Sequence, residues 1–233
     1  MKEIRAVLFD MDGTLIDSEP NYRIADERFL KDLGIELPEE AWDLFVGMGS
    51  ANVIEYVKEQ YGLQGDTEEL LAMKDRYFRE IAEERTEVFP ATVRLLESLN
   101  ERGIPCAIAT GSSKQTLAFS LEATGLRQRF HATVSADEVS EGKPSPDVFL
   151  EAARRVAVEP EHCLVLEDSR SGIEAALAAR MAVVALPSVS SLRDDPLLQK
   201  VDLLIPHGAA SLEPEKVLHL IDERSGANGR AAG

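Results

Sequence analysis

The chain is poor in the residues that build cross-links and soft-metal sites. Its 233 residues include two cysteines and four histidines. Cys106 and Cys163 each lie in a short apolar run, IPCAIAT and HCLVLED, which predicts buried strand thiols and no disulfide framework. His131, His162, His207 and His219 share no spacing, and no Cys/His cluster offers a zinc site. No apolar run approaches the ~20 residues that cross a bilayer, and the opening MKEIRAVLFD lacks a long apolar secretion segment. Positive charge is scarce as well. Against 42 Asp and Glu stand 25 Lys and Arg, giving a formal net charge of -17 with no Lys/Arg-rich block. Nucleic acid and anionic membrane are therefore excluded as partners of the surface as a whole. A cytoplasmic monomer is expected. An anionic small substrate stays open, because a local cation can reverse the field inside one cleft.

A hydrophobic content of 44% argues for a real core and against disorder. Continuous apolar runs at Ala6–Phe9, Pro105–Ala109, Ala132–Ser135, Cys163–Leu166 and Ala182–Leu186, with a weaker one at Asp202–Ile205, predict strands buried on both faces. Helical patterns alternate with them over Thr92–Arg102, Ser113–Ala123, Ser145–Val156 and Ser169–Ala179. This alternation predicts an α/β fold, a three-layer doubly wound parallel sheet with right-handed crossovers. One interval breaks the rhythm. From residue 17 to residue 87 no convincing strand appears, and four helices are expected at Asn21–Asp32, Glu39–Phe45, Ala51–Tyr61 and Thr67–Glu84, with turns at Gly34, Pro38, Gly47-Met48-Gly49, Gly62 and Gly65. The expected organisation is a core over residues 1–16 and 88–223, an inserted helical cap over 17–87, and a flexible tail over 224–233. Leu15–Pro20 and Thr86–Pro90 would be the hinges.

In a parallel α/β sheet, ligands bind beyond the carboxyl ends of the strands. Asp10 and Asp12 follow the first strand, and Thr110, Gly111 and Ser112 the second. Lys143 comes after the third, and Glu167 and Asp168 after the fourth. Four carboxylates on one edge repel each other unless a cation sits among them. An all-oxygen set favours Mg²⁺, which also accepts phosphate oxygens. A Thr-Gly-Ser turn opening a helix offers N–H donors to an anion, and Lys143 adds a compact positive charge. An aspartate held beside such an ion can attack phosphorus. Asp12-Gly13 has a bland alternative as a simple turn, and Ser169 one as a helix cap. Asp137 and Glu138 would either orient Lys143 or face solvent. Glu19, at the first hinge, could reach the cleft.

The stretches DMDGT, ATGSS, GKPSPDVF and LEDSRSGIEAA, in this order and each at a strand end, resemble the four motifs of the haloacid dehalogenase-like superfamily. The resemblance runs from Ile4 to Ile221 and is nearest the phosphatase and β-phosphoglucomutase branch, which has a Rossmann-like core and a helical (C1) cap. It implies a Mg²⁺-dependent phosphatase acting on a small phosphorylated metabolite, such as a sugar phosphate, through an aspartyl-phosphate. In that scheme Asp10 is the nucleophile and Asp12 the general acid and base. Thr110, Gly111, Ser112 and Lys143 hold the phosphoryl group. Asp10, the Asp12 carbonyl and Asp168 bind the metal, and Glu167 does so directly or through water. The alternative is a phosphosugar mutase. The resemblance places Tyr22 and Ser50 where mutases carry a histidine and an arginine, and a mutase lysine near Met73 and Lys74, which favours the phosphatase. A metal-free 2-haloacid dehalogenase would leave Asp12 and the Glu167-Asp168 pair unexplained. A non-catalytic phosphoryl-binding module is the most distant alternative. Arg23, Lys74 and Arg76 are candidates to meet a second anionic group.

Overall fold

A computed structural model describes residues 2–42, 44–45, 48–189 and 192–226. Gly47 of the expected cap turn, and the tail beyond residue 226, lie outside the described residues. Six strands form one parallel sheet: β1 (Ala6–Phe9), β4 (Cys106–Ala109), β5 (Ala132–Val134), β6 (Cys163–Glu167), β7 (Ala182–Ala185) and β8 (Leu203–Leu204). Their order across the sheet is β5-β4-β1-β6-β7-β8. From β1 the chain steps outward through β4 and β5, then returns to the other side of β1 with β6. That reversal opens a crevice at the carboxyl ends of β1, β4 and β6.

Side chains alternate across the sheet with a period of two. Val7, Phe9, Ile108, Leu164, Leu166 and Val184 face one way, onto α5 (Pro90–Glu101), α6 (Lys114–Thr124) and α9 (Pro214–Gly226). Ala6, Leu8, Ala107, Val165 and Val183 face the other, onto α7 (Asp147–Arg155) and α8 (Arg170–Ala178). Both faces are dry, so each fully buried Val, Leu or Phe contributes about 1.5–3 kcal/mol. Cys106 and Cys163 are buried and unbridged, and burial pushes each thiol up to about 12.

Between β2 (Ile16–Asp17) and β3 (Glu87–Val88) the described residues hold only helices: α1 (Glu19–Asp32), α2 (Glu39–Trp42), α3 (Ser50–Tyr61) and α4 (Thr67–Arg85). They bury their own cluster around Phe29, Trp42, Phe45, Ile54 and Val57. Asp66 caps α4 by accepting from the amides of Glu68 and Glu69 at 2.9 and 3.1 Å. No helix among the described residues is long and apolar enough to cross a membrane.

Several elements differ from the sequence reading. β2 and β3 pair antiparallel at Ile16–Val88 and Asp17–Glu87, tying together the two connections to the helical insert. Two residues are too few to show periodicity. Helix α9 packs Val217 and Ile221 into the core, four residues apart. That spacing was legible, and the expected elements stopped short of it. The first insert helix begins at Glu19, two residues early, with Pro20 in its first turn.

Candidate active site

Asp10 continues the alternation of Ala6 and Leu8 past the end of β1, and Glu167 continues that of Cys163 and Val165 at the end of β6. Both carboxylates therefore turn to the α7/α8 side of the sheet, and Lys143 reaches between them. Its Nζ donates to Asp10 Oδ1 at 2.5 Å and to Glu167 Oε1 at 2.6 Å. The ammonium also lies 4.9 Å from the Phe149 ring centroid. Glu167 is fully buried. Its second oxygen accepts from the Ser169 amide at 2.7 Å and the Ser169 hydroxyl at 3.0 Å. Ser169 also caps α8, accepting from the Gly172 amide at 3.1 Å. Burial works against the charge on Lys143, but Asp10 and Glu167 outweigh it and raise its pKa.

Asp12 turns toward the insert. Ser112 Oγ donates to Asp12 Oδ2 at 2.6 Å and shares a 3.2 Å hydrogen bond with the Tyr22 hydroxyl. The serine has one proton and gives it to the carboxylate, so Tyr22 is the donor in the second bond. A three-membered chain thus joins insert helix α1 to Asp12. Tyr22 is fixed by stacking on Phe78, with centroids 4.1 Å apart. Asp12 Oδ1 is buried and has no hydrogen-bond partner among the described residues. Burial pushes the Asp12 carboxyl above the usual range, against the hydrogen bond from Ser112. Tyr22→Phe keeps the stack and removes only the donor. We expect kcat to fall about fivefold with KM nearly unchanged, the loss of roughly one hydrogen bond acting through an intermediary. Steady-state kinetics on any accepted phosphomonoester measures this.

Asp168 lies against the turn after β1. A Cβ on Gly13 would sit 2.2 Å from Asp168 Oδ2, and Gly13 has φ +74°. Only glycine permits both that conformation and that approach. Ser188 Oγ donates to the same oxygen at 2.8 Å. Burial pushes Asp168 and Asp10 above the normal carboxylate range; Glu167 adds to both, Asp10 adds to Asp168 and Asp12 to Asp10, while Lys143 opposes the rise in each. Mutually repelling buried acids of this kind are what a divalent cation relieves. Among the described residues no three His, Cys, Asp or Glu side chains are drawn closely enough together to hold an ion by themselves. Beside Lys143 at the core end of the cleft stand the carboxylates of Asp10, Asp12 and Asp168, while both oxygens of Glu167 are already engaged.

One cavity of about 680 Å³ gathers Asp10, Asp12, Glu19, Thr110, Gly111, Ser112, Lys143 and Asp168. Glu167 is set behind Lys143 and does not line it. Thr110 is buried, and its Oγ1 accepts from the Ser112 amide at 3.0 Å. Asp137 lines the same cavity but is not paired with Lys143; it accepts from the Lys114 amide at the start of α6, at 2.7 Å. Glu138 folds back on Ser135 and pairs with Arg155. Arg23 is held by Glu27 and Glu39, and Arg76 lies 5.7 Å from the Tyr77 ring centroid. Met73 packs against the insert core, whereas Lys74 lines the cavity. The sequence marks Tyr22 only as a cap position and gives Ser188 and Gly172 no role at the site. Tyr22 and Ser188 act through Ser112 and Asp168, 90 and 20 residues away, which no local spacing signals.

The sequence model of the haloacid dehalogenase-like hydrolases matches residues 4–180. The chain belongs to this family. Among the relatives of this haloacid dehalogenase-like hydrolase, Fructose-1-phosphate phosphatase YqaB of Escherichia coli (strain K12) is 35% identical over 178 residues, covering 76% of this chain and 94% of that protein. Phosphoglycolate phosphatase of the same strain is 31% identical over 235 residues, covering 88% and 92%. In one longer curated relative the match covers only 18% of that protein's length. A solved HAD hydrolase, family IA, variant 3, from Entamoeba histolytica superposes with a TM-score of 0.81 at 26% identity, over 95% of this chain and 100% of that one.

Proposed function

We propose that this hydrolase is a Mg²⁺-dependent phosphatase that cleaves a small phosphomonoester, of the sugar-phosphate kind, through an aspartyl-phosphate on Asp10. The observation that supports this most directly is the Lys143 bridge between Asp10 and Glu167, next to Asp12 at a strand end. Asp10 Oδ and an Asp168 oxygen, with the main-chain oxygen of Asp12, would hold the metal. Glu167 would hold Lys143 and reach the ion at most through water. When bound, Mg²⁺ supplies positive charge that keeps Asp10 ionised and offsets the charge of the transferring phosphoryl group.

Asp10 attacks phosphorus in line, forming the acyl-phosphate bond as the ester P–O bond breaks. The proton on Asp12 goes to the leaving oxygen, for which its raised pKa suits it. The ionised Asp12 then takes a proton from a water that attacks phosphorus, releasing phosphate and restoring Asp10. Lys143 and the Thr110-Gly111-Ser112 turn neutralise and orient the equatorial oxygens. The insert acts as a cap, and the Tyr22–Ser112–Asp12 chain couples its closure to the position of the acid.

The mutase alternative needs cap cations for a second phosphate. Tyr22 is committed to Ser112, position 50 is serine, and Lys74 is ion-paired with Asp26 at 2.5 Å. Phosphate release is the expected outcome, not phosphoryl return to a sugar. The test is a screen of phosphorylated metabolites with Mg²⁺, using Asp10→Asn as the blank. EDTA should abolish phosphate release and excess Mg²⁺ restore it. Turnover that survives EDTA would contradict the metal assignment. Efficient conversion of β-glucose 1-phosphate to glucose 6-phosphate, with a trace of the bisphosphate and no free phosphate, would reverse the ranking.

A further inference from the structure

The catalytic cavity has a core end and an insert end, and they differ in which cations are available. At its core end Lys143 stands among Asp10, Asp12 and Asp168, where the phosphoryl group would be processed. At its insert end the lining carries four carboxylates, on Glu19, Asp26, Glu68 and Asp75, against two cations, Lys74 and Arg79. Lys74 is not available to an anion. It is 2% exposed, and its ammonium lies 2.5 Å from Asp26 Oδ1, itself on a residue 4% exposed. The ring of Tyr22 covers the same ammonium, with its centroid 5.2 Å away. Extracting that lysine to meet a substrate anion would strand a buried carboxylate, a cost of several kcal/mol. Arg79 is at the solvent rim, where Nη1 donates to exposed Gln115 at 2.5 Å. Asp75, one turn earlier on α4, lies within its field and accepts from the Ser113 hydroxyl at 2.9 Å.

The half of the cavity that receives the leaving group therefore has an excess of negative charge and no buried cation to spare. What it offers is hydrogen bonding, from Ser50, Asn52, Ser113 and the carboxylate of Asp75. We infer that the substrate's leaving group is an uncharged, hydroxyl-bearing carbon skeleton, and that the insert rejects phosphomonoesters with a carboxylate or second phosphate there. This rests on the phosphatase reading and adds the chemical class of the alcohol. The rejection is electrostatic: a second anion would face like charges with no unpaired buried cation to meet it.

The test compares paired substrates that differ in the charge carried by the leaving group. kcat/KM is measured with saturating Mg²⁺ for glycerol 1-phosphate against 3-phosphoglycerate, and for fructose 1-phosphate against fructose 1,6-bisphosphate. The member of each pair with the uncharged leaving group should win by tenfold or more. Asn52→Lys places a cation on an exposed position of the cavity wall, away from the buried pair. It should narrow both ratios at least threefold, chiefly through KM for the anionic member. Equal or faster hydrolysis of the anionic members overturns the inference and leaves the phosphatase reading intact. No phosphate release from any of the four, nor from p-nitrophenyl phosphate, overturns both.

Discussion

Asp10→Asn should remove turnover while leaving the fold intact. We expect kcat to fall by roughly 10⁴-fold or more, the scale seen when a covalent nucleophile is lost. The amide keeps the size of the side chain and an oxygen at the Oδ1 position, so the contact with Lys143 survives as a neutral acceptor. Burial already pushes Asp10 above the usual carboxylate range, and Glu167 and Asp12 add to it. Removing one of several mutually repelling acids should thus leave the melting temperature of the metal-free protein unchanged or raise it by about 2 °C, the equivalent of under 1 kcal/mol. A purely structural Asp10 predicts the reverse pattern, with lost stability and residual activity. Calorimetry and phosphate release on the same preparation separate the two.

Gly172→Ala should be costly although it lies in a helix. Alanine exceeds glycine in helix propensity by about 1 kcal/mol, so at an unobstructed position it would stabilise α8. Here the new Cβ would fall 1.6 Å from Glu167 Oε1 and 1.9 Å from its Cδ. A long side chain could normally swing aside. Glu167 cannot do so freely, because it is fully buried and holds Lys143 and Ser169. Breaking a buried ion pair costs about 3–5 kcal/mol, which leaves a net loss of roughly 2–4 kcal/mol after the propensity gain. At about 2–4 °C per kcal/mol, the melting temperature should drop by roughly 4–16 °C. Lys143 would lose its anchor, and kcat should fall about a hundredfold. A stable, active Gly172→Ala would mean that Glu167 has room to move and does not position Lys143.

The strands were legible because sheets buried on both faces leave unbroken apolar runs. Ala6–Phe9 coincides with β1 as read, and the other core strands differ by one or two residues at their ends. The site edge was legible for the same reason, since polar residues just past such runs must sit at the crevice. Strand ends name an edge, however, and not a direction. The sequence leaves open whether Glu167 meets the metal directly or through water; its parity with Cys163 and Val165 sends it under α8, and only the fold shows that Lys143 and Ser169 take up its oxygens. The Tyr22–Ser112–Asp12 chain and the Lys74–Asp26 pair depend on how insert helices settle over the sheet or against each other. Residues 22 and 112 are 90 apart in sequence, and no periodicity spans that distance. Met73 and Lys74 illustrate the limit within one helix: adjacent residues face opposite sides, and a shift of one decides which meets the cavity.

The most direct measurement is a rapid-quench experiment with ³²P-labelled substrate and Mg²⁺, followed by peptide mapping. Label should appear transiently on the peptide containing Asp10, be released by hydroxylamine as an acyl phosphate is, and be absent in Asp10→Asn. Phosphate release at the wild-type rate with no labelled protein, or label on any other side chain, would contradict the account.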